Sequence, residues 1–175
     1  MLLCETVLPS AKDFVDLEKI DFGIRVRVKE APRCLLRRPV AEALAKIQSG
    51  LSLQNRKLVV WACYRPTSVL ATGDRAALAN GLDESVHARG VAVDVGLLEA
   101  ESAKAVEMPT GYQERWKAAK RPYHGSTRAQ RKNAEHLRAV MESGGFRPQP
   151  LAWWHFDFIE KTPSASENFA YDEVK

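Results

Sequence analysis

Val91-Ala92-Val93-Asp94-Val95-Gly96-Leu97-Leu98 and, some sixty positions on, Trp153-Trp154-His155-Phe156-Asp157-Phe158 are the stretches on which the fold turns. Both are short, apolar and β-prone, and both are interrupted by residues that a plain core strand avoids. In the first, a period of two places Val91, Val93 and Val95 on one face and Ala92, Asp94 and Gly96 on the other. A carboxylate between two tiny residues is costly to bury and needs a cation or several donors. In the second, read as a strand from Trp153 to Glu160, Trp154, Phe156 and Phe158 alternate with Trp153, His155 and Asp157. His155 therefore points away from the aromatic face.

Working outward, Arg37–Ser49 carries Val40, Ala43, Leu44 and Ile47 at helical spacing, with Gly50 as its expected stop. Lys57–Tyr64 reads as a buried strand ended by Arg65-Pro66, and a helix is expected from Ser68 to about Asn80. Ser126 or Thr127 caps a further helix with Ala134, Leu137, Val140 and Met141 as its apolar stripe, and Gly144-Gly145 closes it. Pro148 and Pro150 announce the last strand. Residues up to about Pro32 read as a loosely structured amino-terminal arm of one domain spanning 1–175. Alternating helices and strands indicate α+β or α/β, and periodicity does not choose between them.

The 175 residues are 45% hydrophobic and 27% charged, the balance of an ordinary globular domain and not of a collagen-like or disordered chain. No apolar run approaches the ~20 residues of a membrane span, and MLLCETVLPS lacks the basic start of a secretory signal. Three cysteines, Cys4, Cys34 and Cys63, are an odd set without C-x-x-C spacing. They predict neither a disulfide framework nor a thiolate zinc site, and a reducing, cytoplasmic setting is expected. The net charge is +4, with much of the excess between Arg115 and Lys132. No groove-reading element or stacking aromatic set accompanies it, so a solvated face is expected and no nucleic-acid partner.

His87 lies seven residues before Asp94, in a turn-like stretch where Gly90 can fold it back toward the carboxylate. His87, Asp94 and His155 together are a three-ligand zinc set with a fourth position open. On residues alone, such side chains are more often satisfied by hydrogen bonds, or by Arg89, than by a metal.

The joint pattern Ser85-x-His87-x-x-Gly90-x-Ala92-x-Asp94 followed by Trp153-Trp154-His155 resembles the zinc D-alanyl-D-alanine dipeptidases of vancomycin resistance and peptidoglycan dipeptide use. Leu35-Leu36-Arg37-Arg38-Pro39-Val40, Tyr64-Arg65-Pro66, Met108-Pro109-Thr110 and the helix Asn133–Phe146 are similar to that family as well. The resemblance implies a single α+β domain of Hedgehog/D,D-peptidase type, with a small, mainly antiparallel sheet flanked by helices. It implies one zinc ion on His87, Asp94 and His155, and a small peptide substrate. Arg65 matches the arginine that stabilises charge on the scissile carbonyl, a role suited to a guanidinium in a dry site. Ser85, Tyr112, Gln113 and Trp153 fall at substrate-binding positions.

The chain departs from the pattern twice. Where the family reads Glu-Trp-Trp-His, this sequence has Ala152-Trp153-Trp154-His155. The glutamate is the general base that takes a proton from the attacking water and returns it to the leaving amine, and alanine transfers none. Loss of such a group costs typically ~10²–10⁴ in rate. The expectation is a zinc site with crippled hydrolysis. Two histories fit: a Glu-to-Ala change introduced to inactivate an enzyme, which the intact ligands and Arg65 favour, or a naturally non-hydrolytic, peptide-binding pseudoenzyme. The second departure is Tyr112-Gln113 where the family has an aromatic residue and an Asp that engages the substrate's ammonium. The neutral Gln113 leaves room for an amidase or D,D-carboxypeptidase specificity.

Overall fold

Residues 11–29, 31–68, 85–114 and 119–174 are described in a computed structural model. Their strands are β1 (Phe14–Asp16), β2 (Arg25–Val26), β3 (Leu35–Arg37), β4 (Arg56–Ala62), β5 (Ala92–Glu99), β6 (Phe146–Pro148) and β7 (His155–Phe158). The helices are α1 (Arg38–Ser52), the single turn α2 (Ser85–Ala88) and α3 (Arg128–Ser143). The helix expected from Ser68 to Asn80 falls almost wholly outside the described residues.

Five strands form one sheet in the order β2-β4-β5-β7-β6, in which only β2 and β4 run parallel. The class is α+β with a mainly antiparallel sheet. β5 sits between β4 and β7, which is why its first seven residues, Asp94 among them, are buried and the other six are apolar or tiny. The register sets Asp94 opposite Ala62 on one side and opposite His155 on the other. Two distant parts of the sequence thus meet at one rung, close to a register irregularity between Val60 and Ala62.

α1 begins with Pro39 in its first turn, where a missing N–H costs nothing. It buries Val40, Ala43, Leu44, Ile47 and Leu51 against β3 and β4. Gly50 does not stop it. The helix continues to Ser52 and the chain reverses at Asn55, whose φ of 54° suits an Asn. α3 opens with a reciprocal capping box between Thr127 and Gln130 and buries Ala134, Leu137 and Met141, while Val140 is only partly covered. Gly144 lets α3 close on α1, since a Cβ there would stand 2.3 Å from Ile47 Cδ1.

Four expectations need correction. The arm is not loose over 11–29: β1 pairs with β3, and Phe14, Val15 and Leu17 are buried. The last strand starts at His155, because Ala152 N–H donates to Gln149 O and His155 N–H to Ala152 O, holding Trp153 and Trp154 in turns. Pro148 belongs to a strand, β6, whose hairpin with β7 the prolines disguise. Finally, Cys34 and Cys63 form a disulfide with Cα atoms 5.3 Å apart, both side chains buried. The cysteine count therefore no longer speaks for a reducing compartment. Among the described residues no helix is long and apolar enough to cross a membrane.

Candidate metal centre

His87, Asp94 and His155 converge: one ligand atom from each lies within 4.8 Å of the others. Their exposures of 0%, 4% and 2% mean that water does not satisfy them. Each is delivered by a different device. Gly90, at φ +69° and so close to Phe14 that a Cβ would stand 2.2 Å from Cε1, closes the turn after α2 and brings His87 over β5. Asp94 comes from the period of β5, and His155 is the cross-strand neighbour that β7 places beside it.

The outward-facing atom of each of these three side chains is held by a specific partner. His87 Nδ1–H donates to the Cys63 carbonyl at 2.7 Å, leaving Nε2 directed toward Asp94 Oδ1 at 3.6 Å. The Tyr112 hydroxyl donates to Asp94 Oδ2 at 2.8 Å, so Oδ1 is the oxygen turned inward. His155 approaches Asp94 Oδ1 through Nδ1 at 2.8 Å and donates from Nε2 to Asp157 Oδ1 at 3.1 Å. One nitrogen, one oxygen and one nitrogen thus face a common point. Fixing the far atom of each ligand is how proteins select the tautomer and direction of metal-binding side chains.

The electrostatics suit a cation. Burial alone would raise the Asp94 carboxyl, but hydrogen bonds and charge from His155 and His87 hold it well below the usual carboxylate range. Burial alone would lower His155, yet the bonds to Asp157 and Asp94 push it up to about 10. Asp157 is likewise lowered against its burial by His155 and then Arg147. The His155 ring thus lies between two carboxylates, an anionic setting that favours a divalent ion. The donor set, two imidazoles and one carboxylate, is one that zinc takes.

Around the three ligands lies an aromatic wall. Trp61 of β4 stacks on Tyr112 with centroids 4.8 Å apart and meets Trp153 edge-on at 6.0 Å. Gly96 makes room for it, since a Cβ there would stand 2.3 Å from Trp61 Cη2. Trp153 is buried and donates from its indole to Thr110 Oγ1 at 3.0 Å. Tyr112 is thus tied to a ligand, and the exposed Gln113 donates from Nε2 to the Tyr112 hydroxyl at 3.1 Å. Arg65 joins the site through its backbone, its N–H donating to His87 O at 3.3 Å. Ala152 is buried in the turn before β7, and Ser85 opens α2.

Three contributors were not assigned from the sequence. Asp157 shares the His155 face by period two, a signal present in the pattern. The Cys63 carbonyl and Trp61 needed the topology, because nothing local marks a carbonyl or a lone tryptophan as a neighbour of His87 or Tyr112.

The D-Ala-D-Ala dipeptidase model of the peptidase M15 family matches residues 71–173. The D-alanyl-D-alanine dipeptidase of Escherichia coli is 32% identical over 136 residues, 74% of this chain and 69% of that protein. The Enterococcus faecalis dipeptidase is 26% identical over 81% of this chain and 82% of its own length. The solved structure of the LdcB LD-carboxypeptidase superposes with a TM-score of 0.51 at 18% identity, covering 89% of this chain and 71% of that one. That likeness is one of fold, of the Hedgehog/D,D-peptidase type.

Proposed function

The chain belongs to the D-Ala-D-Ala dipeptidase family of peptidases, and from that premise we propose that it is a zinc-binding scaffold for cleaving D-Ala-D-Ala or a related small D-amino-acid peptide, with Ala152 leaving it nearly without turnover. The observation that carries this reading is the convergence of His87 Nε2, Asp94 Oδ1 and His155 Nδ1, each with its far atom already committed.

When bound, a zinc ion supplies Lewis acidity toward a peptide carbonyl and brings water toward its nucleophilic form. The rest belongs to the chain's own residues. His87, Asp94 and His155 would hold the ion. The Cys63 carbonyl, Tyr112 and Asp157 orient those three side chains. Arg65, whose backbone is tied to His87, is assigned to the oxygen of the scissile carbonyl as negative charge develops there. Trp61, Tyr112 and Trp153 keep bulk water from one side. At position 152 a glutamate would hold the proton lost by water and pass it to the leaving amine. A methyl group there performs neither step, so binding outlasts hydrolysis.

A second reading is favoured by a specific pair of observations. Gln113 is neutral and its amide is spent on Tyr112, which removes a counter-charge for a substrate ammonium. On this reading the chain holds a peptide or amide without cutting it, or its hydrolytic parent preferred an acylated amino end.

The deciding experiment is D-alanine release from D-Ala-D-Ala by zinc-loaded Ala152→Glu protein beside the unaltered chain. The dipeptidase reading expects turnover at least ~10²-fold faster in the glutamate form. Zinc bound by both forms with no turnover in either would remove that reading in favour of the binding module. Cleavage of acylated dipeptides alone would move the assignment to a carboxypeptidase or amidase.

A further inference from the structure

Asp157 is a strange residue for its place. It sits in the middle of β7, the strand between β5 and β6, where aspartate is disfavoured, and its carboxylate is largely buried. Burying a carboxylate is tolerated only where specific partners replace water. Asp157 has two, one on each oxygen. Oδ1 accepts from His155 Nε2 at 3.1 Å, and Oδ2 accepts from Arg147 Nη2 at 3.2 Å. Both arise from strand geometry. His155 and Asp157 are two apart on one face, and the β6–β7 register sets Arg147 directly opposite Asp157.

We infer that Asp157 is the positioning carboxylate of the metal centre, holding His155 so that Nδ1 faces the ion, with Arg147 anchoring it from β6. The inference rests on the metal-site reading above. An imidazole can present either nitrogen, and rotation about its side-chain torsions would turn Nδ1 from Asp94. A carboxylate on Nε2–H forbids the other tautomer, fixes the ring plane and makes Nδ1 a better donor. His87 is held by a neutral carbonyl and Asp94 by a phenol. Among these outer partners of the three ligands, Asp157 is the anionic one, and its charge adds to that of Asp94 in favouring a dication. A purely structural Asp157 would need only Arg147 and would have no reason to meet the far nitrogen of a ligand.

The test requires no turnover, so Ala152 does not interfere. The full chain and its Asp157→Ala, Asp157→Asn and Arg147→Gln variants are stripped of metal and titrated with zinc against a chromophoric chelator. The cobalt(II) absorption spectrum of each and the thermal melt of each apo form are recorded alongside. The expected result is a loss of zinc affinity of about 10–100-fold in Asp157→Ala with a shifted cobalt spectrum. Asp157→Asn, which keeps an acceptor without the charge, should fall between, and Arg147→Gln, which leaves the carboxylate but removes its anchor, should lose less than Asp157→Asn. Zinc affinity in Asp157→Ala within twofold of the parent, with an unchanged cobalt spectrum, would overturn the inference while leaving the metal site standing. Should Asp157→Ala fail to fold, Asp157→Asn decides by the same two readouts. Equal losses in Asp157→Asn and Arg147→Gln, tracking their apo melting temperatures, would also overturn it, by making the pair structural. Failure of the parent chain itself to bind zinc or cobalt would overturn the metal reading and this inference together.

Discussion

The Tyr112 hydroxyl donates to Asp94 Oδ2 at 2.8 Å while its ring lies stacked on Trp61. One side chain therefore both walls the site and dictates which carboxylate oxygen is turned toward the two histidines. Tyr112→Phe keeps the stack and removes the bond. A hydrogen bond of this partly exposed kind contributes about 1 kcal/mol, so zinc affinity is expected to fall about fivefold. Chelator competition on the apo proteins checks it; unchanged affinity would assign the hydroxyl to substrate instead.

Opening the Cys34–Cys63 bond is expected to lower stability by about 3–4 kcal/mol, from the loop entropy of a cross-link spanning 29 positions. Because the Cys63 carbonyl also holds His87 Nδ1, the reduced chain should lose metal affinity as well as melting temperature. Urea titrations with and without a dithiol reductant measure the first, and zinc competition the second. Identical urea midpoints would show that the bridge contributes nothing to stability.

Gly90→Ala places a methyl group against Phe14 in a backbone region that alanine avoids. Strain and overpacking together should cost roughly 2–4 kcal/mol. The loss should appear as a lower urea midpoint. A change under about 0.5 kcal/mol, the scale of an ordinary surface substitution, would mean that the turn relaxes freely.

Tyr64 is fully buried, and burial pushes its phenol well above the ordinary tyrosine value, although its hydroxyl donates to Phe169 O at 3.0 Å. Its folded pKa is thus raised above the unfolded one near ~10. The stability linked to it is complete below pH ~10 and is lost as pH climbs from there toward the folded value. Unfolding followed by tyrosinate absorbance should steepen above pH ~10 and steepen less in Tyr64→Phe. Indistinguishable alkaline limbs would discount the buried phenol.

The parts of the site that were legible are those whose signal is local. A lone Asp between Ala92 and Gly96, a glycine after His87, and a histidine out of phase with Trp154, Phe156 and Phe158 each mark themselves by violating strand or core patterning. Asp157 carried the same mark but gained meaning only through the register that puts Arg147 opposite it. Cys34 and Cys63 lie on different strands' ends, and no spacing rule pairs them before β3 and β4 are brought together. β6 was hidden because Pro148 argues against a strand, yet at a sheet edge its missing N–H is harmless. Gly50 misled in the opposite direction: it is exposed, with open space where a Cβ would stand, and α1 runs through it.

The tail over Ala165–Val174 is bound across both flanks of the site. Glu167 N–H donates to Ala88 O, Thr67 N–H donates to Glu167 O, Arg37 pairs with Glu167, and Phe169 stacks on Tyr64. The turn carrying His87 and the strand end carrying Arg65 are thereby buckled together by residues made after both. A change in the tail would therefore reach two parts of the site's margin at once while leaving every residue of the margin itself unaltered.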